Sequence, residues 1–294
     1  MTRADLVGKV LQDDQNFHLE IVDWQGKLAV KKTAKATTPA SRVERMLNDV
    51  DGMRFFSEMA DKRPEFRLYV PAIYEEGDRY YIREYIDCPV VADAGMSFAE
   101  AAPRVKQLAK LLADIDQLEP HGPAGYIGSS NYQNLHGSIG RWVSENLAEN
   151  LINQTQADRA MEISKGLGRY IKPRIAHGDM SAYKHAYICG DKIALIDFEN
   201  FSSQAARYYD VAWCYTRMFG LGSPELARHF LAEFLKVAAK PTHQAEQLMA
   251  VVIQRTVGLQ KDADVDAQRG TDYRDRASEL LELVLQNKLE LLHG

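Results

Sequence analysis

Apolar and polar residues alternate near the start of the chain, and a helical period takes over for most of its second half. Residues 17–23 (FHLEIVD) alternate, and residues 28–32 follow the turn triplet Gln25-Gly26-Lys27, which predicts a β-hairpin. Period-2 alternation puts Ala29 and Lys31 on one face of the second strand, with Leu28 and Val30 on the other. Residues 41–60 carry a helical stripe of Val43, Leu47, Val50 and Met53. Ser41 stands as the expected N-cap, with Glu44 three residues on in capping-box spacing. Residues 68–70 and 79–86 bracket Glu75-Glu76-Gly77-Asp78 as a second hairpin. Beyond residue 97 the stripe Phe98, Ala101, Val105, Leu108, Leu112, Ile115, Leu118 predicts a long helix ended by Pro120. Further helices are predicted over 139–150, 157–171, 224–239, 244–259 and 274–292, with loops over 122–140 and 261–275. Arg255 lies on an apolar stripe and is expected to meet a buried acidic partner.

Composition narrows the class. The chain has 294 residues, 46% apolar and 26% charged, as expected of a globular protein. A formal net charge of −5 leaves no basic footprint for nucleic acid and fits a cationic or neutral small substrate better than an anionic one. No apolar run approaches a membrane span, and the charged first fifteen residues lack a signal-peptide core, so a soluble cytoplasmic protein with no membrane partner is expected. Cys88, Cys189 and Cys214 are odd in number and lack ligand-like spacing, which points to reduced thiols.

The candidate chemistry sits in residues 177–201, HGDMSAYKHAYICGDKIALIDFENF. Ala186-Tyr187-Ile188-Cys189 and Ile193-Ala194-Leu195-Ile196 flank the turn Gly190-Asp191 and read as a hairpin. Asp179 enters that hairpin and Asp197 leaves it, so both carboxylates arrive at one edge. One could accept a proton and the other hold a divalent cation. Two turn aspartates beside an ordinary hairpin are the plainer alternative.

The joint pattern of HGD, hairpin and IDF-E resembles the aminoglycoside phosphotransferase and choline kinase family, the small-molecule branch of the protein-kinase-like fold. The resemblance implies an α+β, two-lobed fold. A small antiparallel sheet with one helix would form the nucleotide-binding lobe over residues 1–86, and a mainly helical lobe would span residues 87–294. It implies ATP as phosphoryl donor, Mg²⁺, Asp179 as catalytic base and Asp197 as metal ligand. LAVKK resembles the strand whose lysine clamps the nucleotide phosphates, with Lys31 as the match by face. Glu44 either closes its helix cap or orients Lys31, and it is also a candidate partner for Arg83. YIREYID resembles the segment that holds adenine, where the Glu84 carbonyl, Tyr85 and the Ile86 N–H would line the edge. Lys184 falls where the family has a metal-binding asparagine. An ammonium cannot ligate a metal, so Lys184 either lies against the transferring phosphate or marks an impaired, ligand-binding relative. Asp210 is the expected cap of the next helix and, by resemblance, fixes the catalytic loop. Only thirteen residues separate Asp197 from Asp210, too few for a peptide-docking segment, which favours a small-molecule hydroxyl acceptor. Asp262, Asp264, Asp266 and Asp272 could receive a cationic one.

Overall fold

Alternation in the first ninety residues becomes one antiparallel sheet in the computed structural model, which describes residues 2–265 and 271–286 apart from 94, 123, 126 and 222. A short helix α1 (Arg3–Leu6) precedes β1 (Val10–Asp13), β2 (Phe17–Trp24) and β3 (Lys27–Ala34). Helix α2 (Ala40–Lys62) then crosses to β4 (Leu68–Tyr69), β5 (Ile73–Gly77) and β6 (Tyr80–Glu84). The sheet runs β1-β2-β3-β6-β5. The second hairpin therefore forms from residues 73–84, while β4 leaves the sheet and pairs in parallel with β9, Leu68 opposite Ile193.

The remainder is mainly helical: α3 (Phe98–Asp116), α4 (Leu135–Ala148), α5 (Gln154–Leu167), then β7 (Pro173–Ala176), β8 (Ala186–Cys189), β9 (Lys192–Leu195) and β10 (Ser202–Ala206). Four helices follow: α6 (Tyr209–Leu221), α7 (Pro224–Val237), α8 (Gln244–Val265) and α9 (Thr271–Leu285). The long helix α3 starts where its capping box places it, since the Ser97 hydroxyl accepts from the Glu100 N–H. The cap expected at Ser41 is not used. Pro39 holds that position without a side-chain bond, and Ser41 and Glu44 are exposed on α2. Residues 261–265, expected in a loop, are the last turn of α8. Asp266 lies outside the described residues.

Two elements fix the hairpin's surroundings. β8 and β9 pair in register from Ala186–Leu195 to Cys189–Lys192, and α2 packs down onto the chain after β9. A side chain at Gly52 would start 2.5 Å from the Phe198 Cβ, so only glycine allows this approach. Asn48 Nδ2 secures the same segment by donating to the carbonyls of Glu199 (3.0 Å) and Phe201 (3.1 Å). At the other end, Arg207 donates two bonds to Asp116, Nε to Oδ1 at 2.8 Å and Nη2 to Oδ2 at 2.6 Å. Both residues are buried, and the pair ties the end of α3 to the start of α6.

The expectation of three reduced thiols fails for two of them. Cys88 and Cys189 are bonded, their Cα atoms 5.4 Å apart across 101 residues of sequence. A separation of that length leaves no local signal in the spacing. Cys214 is free and buried.

Replacing Asp116 with Ala leaves a buried guanidinium without its carboxylate and should cost about 3–5 kcal/mol. Urea unfolding of the variant checks this, and a loss under about 1 kcal/mol would show that the pair does not hold α6 in place.

Candidate functional site

Asp179 and Asp197 belong to different segments, and two imidazoles tie those segments together. His177 is fully buried, and its Nε2 donates to the Ile196 carbonyl at 2.8 Å. Its Nδ1 accepts from the Asp179 N–H at 3.3 Å. One donor and one acceptor describe a neutral ring, and burial pushes its pKa down to about 3. His185 makes the second tie. Its Nδ1 lies against the Asp179 carbonyl, which can only accept, so Nδ1 carries a proton. The other nitrogen, Nε2, faces Asp197 Oδ2 at 3.4 Å.

The loop that presents Asp179 also needs Gly178. Its φ is +87°, and an added Cβ would lie 2.0 Å from the Asn200 carbonyl oxygen. That oxygen belongs to the segment after Asp197, so the glycine lets the two loops touch. Asp210 latches the loop from below. It sits in the first turn of α6, inside the helix and not at its cap, and accepts from the N–H groups of His177 (2.7 Å) and Gly178 (2.9 Å). Burial raises its pKa to about 7 despite those two bonds. Asp197 itself has φ +66°, a left-handed conformation that aspartate tolerates better than most residues.

Above Asp197 lies a buried lysine, but it is Lys32. Register pairs Val30 with Arg83 and Lys32 with Tyr81, so these four share the sheet face that α2 and Asp197 cover. Lys31 sits on the other face with Ile82, its amine 5.1 Å from the Tyr80 ring centroid. The expectation for Lys31 is corrected on this ground. Both faces carry buried apolar residues, Ala29 on one and Val30 on the other, so alternation alone could not tell them apart.

Lys32 Nζ donates to Asp197 Oδ1 at 3.1 Å and to Glu199, and stands 3.6 Å from Asp49 Oδ2. Burial disfavours its charge, yet the attraction of Asp197, then Asp49 and Glu199, outweighs that and holds its pKa well above the ordinary value. Asp197 is half-buried, and against the cost of that burial Lys32 and then His185 hold its carboxyl well below the usual range. Burial pushes the Asp49 and Glu199 carboxyls up, with repulsion from Asp197 adding to it.

Asp49 is the α2 carboxylate at this junction. It accepts from the Tyr81 hydroxyl and from the Phe198 N–H at 2.7 Å. Glu44, expected in that role, is exposed one and a half turns earlier. Arg83 finds its partner in the Glu84 carbonyl at 2.8 Å, not in Glu44. The Glu84 oxygen keeps one lone pair after that bond, while the Glu84 carboxylate accepts from the Tyr69 hydroxyl and the Ala72 N–H. Tyr85 N–H donates to the Leu28 carbonyl at 3.3 Å, and Ile86 is half-buried. Lys184 is exposed. His185, the next residue, is the one that reaches Asp197, a substitution of place that sequence counting passed over.

Asp179 lines a cavity of about 250 Å³ with Ser130, Trp142, Tyr209, Arg217 and Arg255. Larger hollows, of about 440 and 510 Å³, lie away from both aspartates, one along α2 beside His121 and one between α5 and α8.

The model of the phosphotransferase enzyme family matches residues 10–247. Among solved structures, the ADP-bound aminoglycoside phosphotransferase APH(2'')-Ib is 15% identical, with a TM-score of 0.55 over 97% of this chain and 93% of that one. An ethanolamine kinase of Plasmodium vivax is 14% identical, with a TM-score of 0.58 over 97% and 84%. A putative fructosamine-3-kinase of Haemophilus somnus is 14% identical, with a TM-score of 0.59 over 94% and 90%. No curated protein sequence matches the chain. The α+β fold, with its antiparallel sheet followed by helices, is that of the protein-kinase-like small-molecule kinases.

Gly178→Ala should cost at least about 2 kcal/mol, from backbone strain and from overlap with Asn200; unchanged urea unfolding would show that the two loops part without cost. His177 gives a pH signature. Its folded pKa of about 3 lies below the ordinary 6.5, so its contribution is complete above pH 6.5 and fades as pH falls towards 3. Asp210 has the opposite sign, its contribution fading as pH rises through about 7. The stability difference between wild type and His177→Gln should therefore shrink from pH 7 to pH 4, and a constant difference would contradict the buried neutral ring.

Proposed function

Since the chain belongs to the phosphotransferase enzyme family, we propose that it moves the γ-phosphoryl group of ATP to a hydroxyl of a small molecule. The observation that carries the reading is the junction of Lys32, Asp197 and the Asp179 loop, a cation and a carboxylate beside a second carboxylate that opens on a cavity. Lys32 takes the role expected of Lys31, holding the nucleotide phosphates, with Asp49 orienting its amine. The backbone of Glu84, Tyr85 and Ile86 lines the adenine edge. Residues 1–86 serve as the nucleotide lobe and residues 87–294 as the acceptor lobe.

The donor set fits a divalent cation. Three carboxylates (Asp49, Asp197, Glu199) surround one ammonium, with Arg45 3.8 Å from Glu199. Mg²⁺ is usually shared between one or two carboxylates and the phosphates of a substrate; among the described residues no group of three or more ligating side chains could hold a metal ion by itself. Asp197 would hold it, with His185 orienting the carboxylate. When bound, Mg²⁺ would neutralise phosphate charge during transfer.

In the reaction the acceptor oxygen forms a bond to the γ-phosphorus as the bond to the β–γ bridging oxygen breaks. The electron pair leaves with ADP, and the hydroxyl proton passes to Asp179. Catalysis is then mostly placement and charge neutralisation. ADP and AMP-PNP in the solved structures of similar fold support the choice of nucleotide.

A second reading, a catalytically impaired ligand-binding relative, is favoured by exposed Lys184 standing where the family has asparagine. We also propose a cytoplasmic setting, where ATP is supplied. No described helix is long and apolar enough to cross a membrane, and a reducing cytoplasm would open the Cys88–Cys189 bond.

Asp179→Asn should abolish acceptor-dependent ADP release while leaving the thermal shift with ATP nearly unchanged. Turnover equal to wild type would remove Asp179 from the chemistry. ATP at 100 times its dissociation constant should stabilise the protein by about 2.7 kcal/mol. A shift that needs Mg²⁺ supports the transferase, one indifferent to Mg²⁺ supports the second reading, and no shift rejects both.

A further inference from the structure

The cavity below Asp179 is basic. Among its described lining residues are four cationic side chains against two carboxylates, Asp179 and Asp262; Arg45 stands 3.8 Å from Glu199 and Lys261 pairs with Glu149 at 2.7 Å, which leaves Arg217 and Arg255 as the cations beside Asp179. Asp262 does not offer itself to a cation, because two arginines already share it, Arg217 at 3.0 Å and Arg255 at 3.8 Å. Of the acidic residues expected to receive a cationic acceptor, Asp262 is thus spoken for and Asp272 is exposed on α9, while the Asp264 side chain and Asp266 lie outside what the structure describes.

Arg255 is the group that asks for a ligand. Its side chain is 4% exposed, and it arrives on the buried face of α8 with its guanidinium carbon 3.5 Å from the Trp213 ring centroid and 5.1 Å from that of Trp142. Its Nε has no hydrogen-bond partner among the described residues. Nη1 reaches the Tyr209 hydroxyl only at 3.5 Å, and Nη2 reaches Asp262 only at 3.8 Å. A guanidinium has five donors, and burying them against aromatic faces with such long contacts is costly. Ser130 Oγ, lining the same cavity, is also buried without a partner among the described residues. Two polar groups of residues lining this cavity are therefore buried with hydrogen-bonding capacity unspent. Arg217 stands beside them, 21% exposed and within electrostatic reach of Asp179.

We propose that the acceptor is a small hydroxylated anion, a carboxylate or a phosphate monoester, whose charged group docks on Arg255 and Arg217 while its hydroxyl faces Asp179. The planar fork of arginine matches both anions in two-bond geometry. A volume of about 250 Å³ falls below the usual range for drug-sized ligands, roughly 300–1,000 Å³, so the acceptor is acyclic or a single ring. The cationic lining works against aminoglycosides, choline and ethanolamine, which would meet like charge. This assignment rests on the phosphotransferase reading, and the phosphoryl step is the one written above with the anion as hydroxyl donor.

The experiment measures ATP-dependent ADP release with Mg²⁺ across acceptors of matched size. Glycerate and threonate form the carboxylate arm, glycerol 3-phosphate and ribose 5-phosphate the phosphate arm, and choline, ethanolamine and kanamycin the cationic arm. Turnover in either anionic arm, with the active arm naming the anion, is expected. KM for that anion should rise at least tenfold in Arg217→Met and in Arg255→Lys, and fall in Asp262→Asn, which releases the two arginines. The last change opposes what simple loss of structure would do. A thermal shift with ADP shows that each variant is folded; if Arg255→Lys is not, Arg217→Met and Asp262→Asn decide. Turnover with a cationic acceptor, or anion turnover indifferent to all three variants, overturns the proposal and leaves the phosphotransferase reading standing. Nucleotide binding with no turnover in any arm overturns the proposal too. Absence of any shift with ATP overturns the phosphotransferase reading itself.

Discussion

Two histidine rings hold the site together. Asp179 and Asp197 are eighteen residues apart, on loops that enter and leave a hairpin. His177 bonds the Asp179 N–H and the Ile196 carbonyl, and His185 bonds the Asp179 carbonyl and faces the Asp197 carboxylate. Each ring spans from one loop to the other, so the position of one aspartate fixes that of its neighbour. Gly178 allows this closeness and Asp210 anchors it to α6. Preorganisation of this kind is what a reaction governed by placement requires.

The sheet reaches the same point through one buried amine. Lys32 brings a positive charge from β3 to Asp197, and α2 supplies Asp49 beside it. Three carboxylates around one ammonium make a poor stabilising device, since burial raises the cost of every unbalanced charge. On the reading proposed above, that surplus of negative charge would face a cation and a phosphate chain. Asn48 and Gly52, from the same helix, bring the segment after Asp197 close enough for that contact.

Across Asp179 the sign of the surroundings changes. The Asp197 side is rich in carboxylates, and the opposite cavity is rich in guanidinium groups stacked on tryptophan. The overall charge of −5 conceals this division, because a sum over the chain says nothing of where charges collect. Arg255 was visible as an arginine on an apolar helical face. An acidic partner buried beside it was the natural expectation, but aromatic rings surround it, and among the described residues its one carboxylate contact is long and half exposed.

The sequence by itself determined the first hairpin, the mainly helical second half, the hairpin between the two aspartates and the family pattern, because these depend on short-range periodicity, turn chemistry and fixed spacing. It also marked Asp179, Asp197 and Asp210 as residues to follow. Tertiary structure decided which of two adjacent lysines turned inward, which acid on α2 met it, and that His185 and not Lys184 faced Asp197. Each choice depends on which face of an element another element covers, and both faces of β3 looked alike in the alternation. The Cys88–Cys189 bond and the cationic cavity join residues far apart in the chain, and no local pattern records such meetings.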